Sequence, residues 1–351
     1  SGGMRVLAVL VLCAAVAAAA LPMRMPTPPE AAACAGPVQA TVTVVCASLN
    51  NTECYFPRFP GPDDVIVFPA GAGGAAATYT EASMDPFTPL QVKAAIIEAG
   101  ATVTFTNGGL SASQCIHVHG TLNLIGSMWG TPPVLEPWQL PSNPADFPAG
   151  TAGCTGDLSG GFSPRVCGAG ALTVEAGGTV TLQQMYATIF SVVIVRANGT
   201  LIASDYAAIA GDVYNSGTIR LFDPTRPADI SMIFFIGSLY SDGELSIRNV
   251  KCFGPPGARS DTTPCDFYVY SHATLEFSMS PEPFPGDVYV LDALLNVTVR
   301  TTGSVGGLMN LGTTTISSNP AVTPKECPHA LPSTTFTVER GFNNGILTTN
   351  D

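Results

Sequence analysis

The chain is short of charge. Of its 351 residues, 14 are Lys or Arg, 26 are Asp or Glu and 4 are His, giving a formal net charge of −12. A surface that wraps nucleic acid must neutralise phosphates with Lys and Arg, so no nucleic-acid partner is expected, and anionic membranes are disfavoured for the same reason. No C-x-x-C spacing occurs, which removes the usual basis of a structural zinc cluster. A Gly-rich phosphate cradle, a Ser-His-Asp order and a nucleotide motif are all missing, and no cofactor is expected. Long amphipathic helical patterns are absent as well. Beyond the N-terminal apolar run, no stretch is long enough to span a bilayer, and Ile346 to Asp351 is too polar for a lipid-anchor tail.

Ser1-Gly2-Gly3 before Met4 reads as a tag scar. Met4-Arg5 then leads into the apolar run Val6 to Leu12, and small residues from Ala14 to Ala20 precede Leu21-Pro22. This is the layout of a signal peptide, so residues 1–20 are expected to be removed and the remainder secreted to an extracellular surface. The competing reading is a membrane anchor, which the Ala-rich second half suits less well. Of 10 cysteines, Cys13 leaves with the leader. Cys34, Cys46, Cys54, Cys115, Cys154, Cys167, Cys252, Cys265 and Cys327 remain. An oxidising compartment makes disulfides the default, and an odd count leaves one thiol free or paired to another copy of the chain. N-x-Thr sequons make Asn50, Asn198 and Asn296 candidate glycosylation sites.

What is abundant is strand material punctuated by turns. There are 36 Gly and 30 Pro, and Val, Thr, Ile, Leu and Phe alternate in short runs. One phrase recurs: an alternating run, a Gly-centred turn, then Thr and a second run. It appears at Ile97 to Phe105, Val118 to Leu124, Val174 to Leu182, Val195 to Ile202, Val213 to Leu221 and Ser241 to Ile247. Degenerate copies lie at His272 to Phe277 and Thr302 to Val305. The turn glycines recur at a nearly constant interval, from Gly100 to Gly120, from Gly178 to Gly199 and from Gly199 to Gly217. A repeat of this short length marks a solenoid whose coils bury one another's inward residues. The Gly is expected where the chain turns sharply and φ is positive. The alternative is a β-sandwich, but hairpin signals such as Asn-Gly are sparse. The fold is therefore predicted to be all-β, a single-stranded parallel β-helix, expected to be right-handed. Longer gaps read as outward loops: Gly120 to Gly178, placing an insertion at 126–170, Gly217 to Gly243, and Gly243 to Ala273. Local disulfides Cys154–Cys167 and Cys252–Cys265 are predicted to close two of these loops. Residues 21–60 are expected to cap the first coil, 61–318 to form the solenoid, and 319–351 to be a tail or second cap.

This pattern resembles the pectin-lyase-like parallel β-helix proteins, especially their non-catalytic, adhesin-type members. Gly61-Pro62-Asp63-Asp64-Val65-Ile66-Val67-Phe68-Pro69-Ala70-Gly71 is similar to the entry segment of secreted β-helix and G8-type extracellular domains. The resemblance spans about Pro62 to Thr315 and implies fold more than activity. Polysaccharide-cleaving relatives of the polygalacturonase type carry Asn-x-Asp, Asp-Asp, Gly-His-Gly and Arg-x-Lys on neighbouring coils, because two carboxylates must flank the glycosidic bond. Here Asp63-Asp64 is the sole Asp-Asp and precedes the first coil. His119-Gly120 follows Val118, Arg-x-Lys does not occur, and Asp205, Asp212 and Asp242 read as scattered single acids.

Three further features bear on function. On a strand, Cys115, His117 and His119 share one side, a weak candidate metal set against the plainer reading of an outward polar row beside inward Ile116 and Val118. The segment Met128 to Cys167 holds Trp129, Trp138 and Phe147, which either stack on sugar rings or pack onto the solenoid. Ile230 to Gly237, with Phe234-Phe235, reads as a buried strand. The expected function is a secreted, non-enzymatic structural or adhesive surface-coat protein, of a cell wall, cyst or virion. A glycan-binding module and a polysaccharide lyase or hydrolase with an atypical site are the alternatives. The expected partners are a polysaccharide or further copies of the chain.

Overall fold

The computed structural model describes residues 24–29, 40–81, 90–106, 108–126, 165–167, 170–183, 187–204, 207–222, 233–248, 250–252, 266–277, 284–299, 302–318 and 335–350. One coil runs through strands Thr188–Phe190, Val193–Val195 and Thr200–Ala203. The next uses Ala208–Ala210, Val213–Asn215 and Thr218–Leu221, and the one after it Ile233–Ile236, Leu239–Ser241 and Glu244–Arg248. Corresponding strands pair in parallel, Val193 beside Val213 beside Leu239, and Leu201 beside Ile219 beside Leu245. The third strands form an 11-stranded sheet from Ala77–Thr80 to Ile346–Asn350, and the others join in an 18-stranded sheet. The chain is an all-β parallel β-helix, as the repeat predicted.

Alternation decides which side chains go inward. In Thr200-Leu201-Ile202-Ala203, Leu201 and Ala203 are fully buried while Thr200 and Ile202 are not. Register then stacks the inward residues coil on coil: Leu122, Val180, Leu201, Ile219, Leu245, Ala273 and Leu295 make one continuous file. Each buried Leu, Ile or Val in such a file stabilises by about 1.5–3 kcal/mol.

Positive φ, the reason expected, holds at Gly100, but the later turn glycines of the repeat are needed for a different reason. Left-handed φ occurs at Gly100 (90°), Gly177 (79°) and Asn198 (63°), and the last two each precede by one residue the glycine that touches the neighbouring coil. At the touching residues the constraint is distance. A Cβ on Gly178 would overlap the Val118 carbonyl oxygen, and one on Gly199 would lie 2.7 Å from that of Val174. Consecutive turns therefore stack backbone on backbone, which a side chain would prevent. Inward asparagines fasten the same turns. Asn215 accepts from the Gly217 N–H (3.0 Å) and donates to Ser241 Oγ and the Glu244 carbonyl (both 2.9 Å). Asn310 repeats the arrangement, donating to Asn343 Oδ1 at 2.7 Å and the Ile346 carbonyl at 2.9 Å.

The solenoid differs from expectation at its far end and inside its longest loop. Thr335–Asn343 and Ile346–Asn350 pair in parallel with Thr302–Asn310 and Thr313–Ser318, so 335–350 form a further coil rather than a tail. The chain between the paired residues Thr313 and Ile346 is far longer than a regular coil, and this wide spacing hid the continuation. The predicted copy at Thr302 to Val305 belongs to the larger sheet. Its place in the smaller one is taken by Leu294–Val299, which pairs with His272–Phe277. Ala273 aligns with Leu245 rather than Gly243. The expected insertion 126–170 is also shorter, because Arg165–Cys167 is a strand paired with Gly109–Ser111.

At the start, Thr41–Val44 pairs in parallel with Val65–Val67 and antiparallel with Tyr55–Phe56. The antiparallel strand covers an edge that would otherwise be open. Cys46 and Cys54 are disulfide-bonded across that reversal, with Cα atoms 5.0 Å apart. Tyr55 Oη donates to the Leu49 carbonyl at 2.7 Å.

Candidate functional site

The outward residues of one coil are few, but register brings distant ones into rows. In the larger sheet Tyr214, Tyr240, Tyr268 and Tyr289 are direct neighbours on successive coils. They point outward, because the residues on either side, Val213, Leu239, Phe267 and Val288 before and Asn215, Ser241, Val269 and Val290 after, are buried. Their rings stack in one file, with centroids 5.2, 4.8 and 4.6 Å apart and planes within 18°, 14° and 5°. All four are partly exposed. Since each ring covers the next one's π-face, what the file presents to solvent is ring edges and phenol oxygens.

Two residues before each tyrosine lies a second row, Asp212, Ser238, Asp266 and Asp287, the first three immediately preceding their strands and Asp287 on its own. Asp212 Oδ1 accepts from the Ser238 N–H at 2.9 Å, and Asp266 Oδ1 from the Asp287 N–H at 3.1 Å. Tyr289 Oη donates to Asp287 Oδ2 at 3.4 Å. Burial first, and then the nearby carboxylates, raise the phenol pKa of Tyr214 and Tyr268. Burial raises that of Tyr240, where a hydrogen bond with Ser238 pulls the other way and Asp212 and Asp266 add to the rise. Tyr270, one row further on, is pushed up to about 12 by burial and then Tyr240. These phenols stay protonated at any physiological pH. The coil acids are thus less scattered than expected, since Asp212 belongs to an aligned row. Asp242 lies outside that row, just past the strand that carries Tyr240, and Asp205 falls outside the described residues.

The sequence does carry a signal for this surface. Gly211-Asp212-Val213-Tyr214 recurs as Gly286-Asp287-Val288-Tyr289, with Asp266-Phe267-Tyr268 and Ser238-Leu239-Tyr240 between them. Anchoring the repeat on the following glycine passes over it.

The other candidate residues fall as follows. Cys115 is fully buried beside Val65 and Ala94 and is disulfide-bonded, so the proposed Cys115, His117 and His119 metal set loses its thiolate. Ile116 and Val118 are in the core. His117 Nδ1 sits 2.7 Å from Glu175 Oε1 on the next coil, and its ring is 6.4 Å from that of His119. Among the described residues no group of three metal-ligating side chains comes together. Asp64, of the sole Asp-Asp, is fully buried and takes two bonds from Arg58 (2.7 and 2.9 Å) and one from the Gly61 N–H. It locks the entry segment. Cys167 is disulfide-bonded and Cys252 ends a strand, but Cys154 and Cys265 lie outside the described residues. So do Trp129, Trp138, Phe147 and the leader at 1–20. Phe234-Phe235 lies on strand Ile233–Ile236. Asn198 is exposed at a turn, while Asn50 is half-buried and Asn296 sits on a strand with Nδ2 3.1 Å from His272 Nε2. No described helix is long and apolar enough to cross a membrane.

No family model, no curated protein and no solved structure matches this chain.

Proposed function

We propose that the protein is a secreted, non-enzymatic structural and adhesive rod of an extracellular coat. The observation that carries this reading is how the coil acids are used. Asp64, Glu81, Asp212 and Asp266 accept backbone N–H groups, all but Asp64 from a neighbouring coil, Glu175 meets His117, and Glu276 holds Arg248 at 2.9 Å. Carboxylates that would flank a glycosidic bond in a hydrolase act here as fasteners between coils. The stacked turns, asparagine fasteners and tyrosine file serve the same end, a stiff rod with side loops free to vary.

The test is incubation of the secreted form with insoluble and soluble polysaccharides, scoring retention and new chain ends in the same tubes. Retention without cleavage is the expected result. New chain ends would overturn the non-enzymatic reading, and the aligned row Asp212, Asp266 and Asp287 would then be the first place to look for the acid and base.

A further inference from the structure

We propose that the tyrosine and aspartate rows form a binding strip for a linear, amine-bearing polysaccharide, a polymer of hexosamine units. The inference rests on the adhesive reading and names its partner.

Three properties of the strip select this chemistry. The first is its hydrogen-bonding sense. Carboxylates and phenol oxygens are rich in acceptor sites. The phenol proton of Tyr289 is directed inward, to Asp287. A complementary partner must therefore bring donors. The second is charge. Asp212, Asp266 and Asp287 share the strip, Arg196 is one coil before it begins, and the register carries the aspartate row on from Asp287 through Gly307 to Arg340, two coils beyond. On a chain of net charge −12 this surface attracts a cationic polymer and repels a polyuronate. The third is pitch. The tyrosines repeat every 4.6 to 5.2 Å in a straight line. An extended peptide presents like-facing side chains only every ~6.8 Å, out of step with that spacing. The pyranose rings of a β-linked glycan succeed one another at about the spacing of neighbouring strands, ~4.8 Å. Successive sugars can thus meet successive coils, and because alternate rings of such a chain are turned over, the amines on one edge recur at every second coil, the interval from Asp212 to Asp266.

The experiment uses the full secreted chain with three soluble probes: chitosan oligomers, the same oligomers fully N-acetylated, and polygalacturonate. Binding is measured by calorimetry at low and high salt. The triple variant Asp212→Asn, Asp266→Asn, Asp287→Asn keeps an acceptor oxygen for each backbone N–H while removing the charge, and Tyr240→Phe with Tyr268→Phe removes hydroxyls but keeps the stack. Circular dichroism and melting verify that each variant is folded. Chitosan is expected to bind, more weakly at high salt, and about tenfold or more weakly to the triple variant, the worth of a single charge-assisted hydrogen bond. Equal binding of the N-acetylated oligomers, tighter binding of polygalacturonate, or chitosan binding indifferent to the folded variants would each overturn the proposal, as would no binding of chitosan. If the wild type and the triple variant are retained equally on some other insoluble polysaccharide, the adhesive reading survives while this strip is excluded as its site.

Discussion

Replacing Gly178 by Ala tests the stacked-turn geometry directly. Glycine-to-alanine at a tolerant position stabilises by about 0.4–1 kcal/mol, because the unfolded chain loses freedom. At Gly178 the added Cβ would overlap the Val118 oxygen and lie 3.0 Å from both the Val118 carbonyl carbon and the Glu175 oxygen. All three are backbone atoms and cannot swing aside as a side-chain tip could. Relief requires the two turns to part by about 1 Å. Two inter-coil bonds flank the contact, Glu175 N–H to the Val118 carbonyl at 2.9 Å and Thr179 N–H to the Gly120 carbonyl at 2.8 Å. Stretching both by that amount forfeits about 1–3 kcal/mol, so the net effect is a loss of about 1–2 kcal/mol. Gly61→Ala is the control: its Cβ would meet nothing nearer than Asp64 Oδ2 at 3.6 Å, in a conformation open to L residues. Urea denaturation should lower the midpoint for Gly178→Ala and leave or raise it for Gly61→Ala. Hydrogen exchange at the amides of Glu175 and Thr179 should accelerate only in the former. A Gly178→Ala protein as stable as wild type would refute the backbone-on-backbone account of the repeat.

Other expectations follow from the same geometry. Asn215→Ala removes three bonds from a fully buried side chain and should cost about 2–4 kcal/mol, read by denaturation, with Asn310→Ala behaving alike. Cys46→Ser with Cys54→Ser should cost about 2.5 kcal/mol by loop-closure entropy for the 8-residue separation, and the loss should fall on the first coil, seen as faster exchange in Thr41 to Val44. Tyrosines whose folded pKa is raised bind their proton more tightly when folded. Their contribution is therefore complete below the ordinary value near 10 and is lost as pH climbs through the folded value, about 12 for Tyr270. Alkaline titration should show tyrosinate absorbance lagging behind that of free tyrosine and rising together with unfolding. With the proposed leader and its Cys13 removed, nine cysteines remain, and thiol labelling of the unfolded, non-reduced protein should find an odd number of thiols in a monomer or else a disulfide-linked dimer; a monomer with no thiol to label would contradict removal of the leader.

The fold was legible because the pattern that specifies it is local. Thr200 to Ala203 alternates inward and outward within one short strand, and a Gly-Thr turn marks several of the coils. The glycine's role was legible in position but not in cause, since only the neighbouring coil's carbonyl reveals that the constraint is proximity. The far end is hard to read because the spacing stretches: Thr313 and Ile346 are neighbours across the sheet but far apart along the chain, and nothing in a chain of such variable loops says that the next coil still follows. The Asp63-Asp64 pair illustrates the opposite limit. Its chemistry as a pair of acids is visible in the sequence, but its use is fixed by Arg58, which reaches across the entry turn to a carboxylate with no exposed surface.

The candidate strip was the least legible part, and the reason is register. The intervals from Tyr214 to Tyr240, from Tyr240 to Tyr268 and from Tyr268 to Tyr289 all differ, so no fixed period links these residues along the chain. Loops absorb the irregularity, and only parallel pairing converts a phrase of the form Asp-x-Tyr into two straight rows. The same conversion limits what such a surface can be. Carboxylates one strand spacing apart, as Asp266 and Asp287 are, repel each other at about 4.8 Å, and the solenoid offsets part of that repulsion by giving Asp266 a backbone N–H and Asp287 a phenol hydroxyl. A cationic polymer laid along the row would lower it further. Wild-type protein should therefore melt at higher temperature in the presence of chitosan oligomers than without them, by an increment that shrinks with added salt, whereas the triple Asp→Asn variant should show no such increment. An equal increment in both would place the polymer elsewhere on the rod.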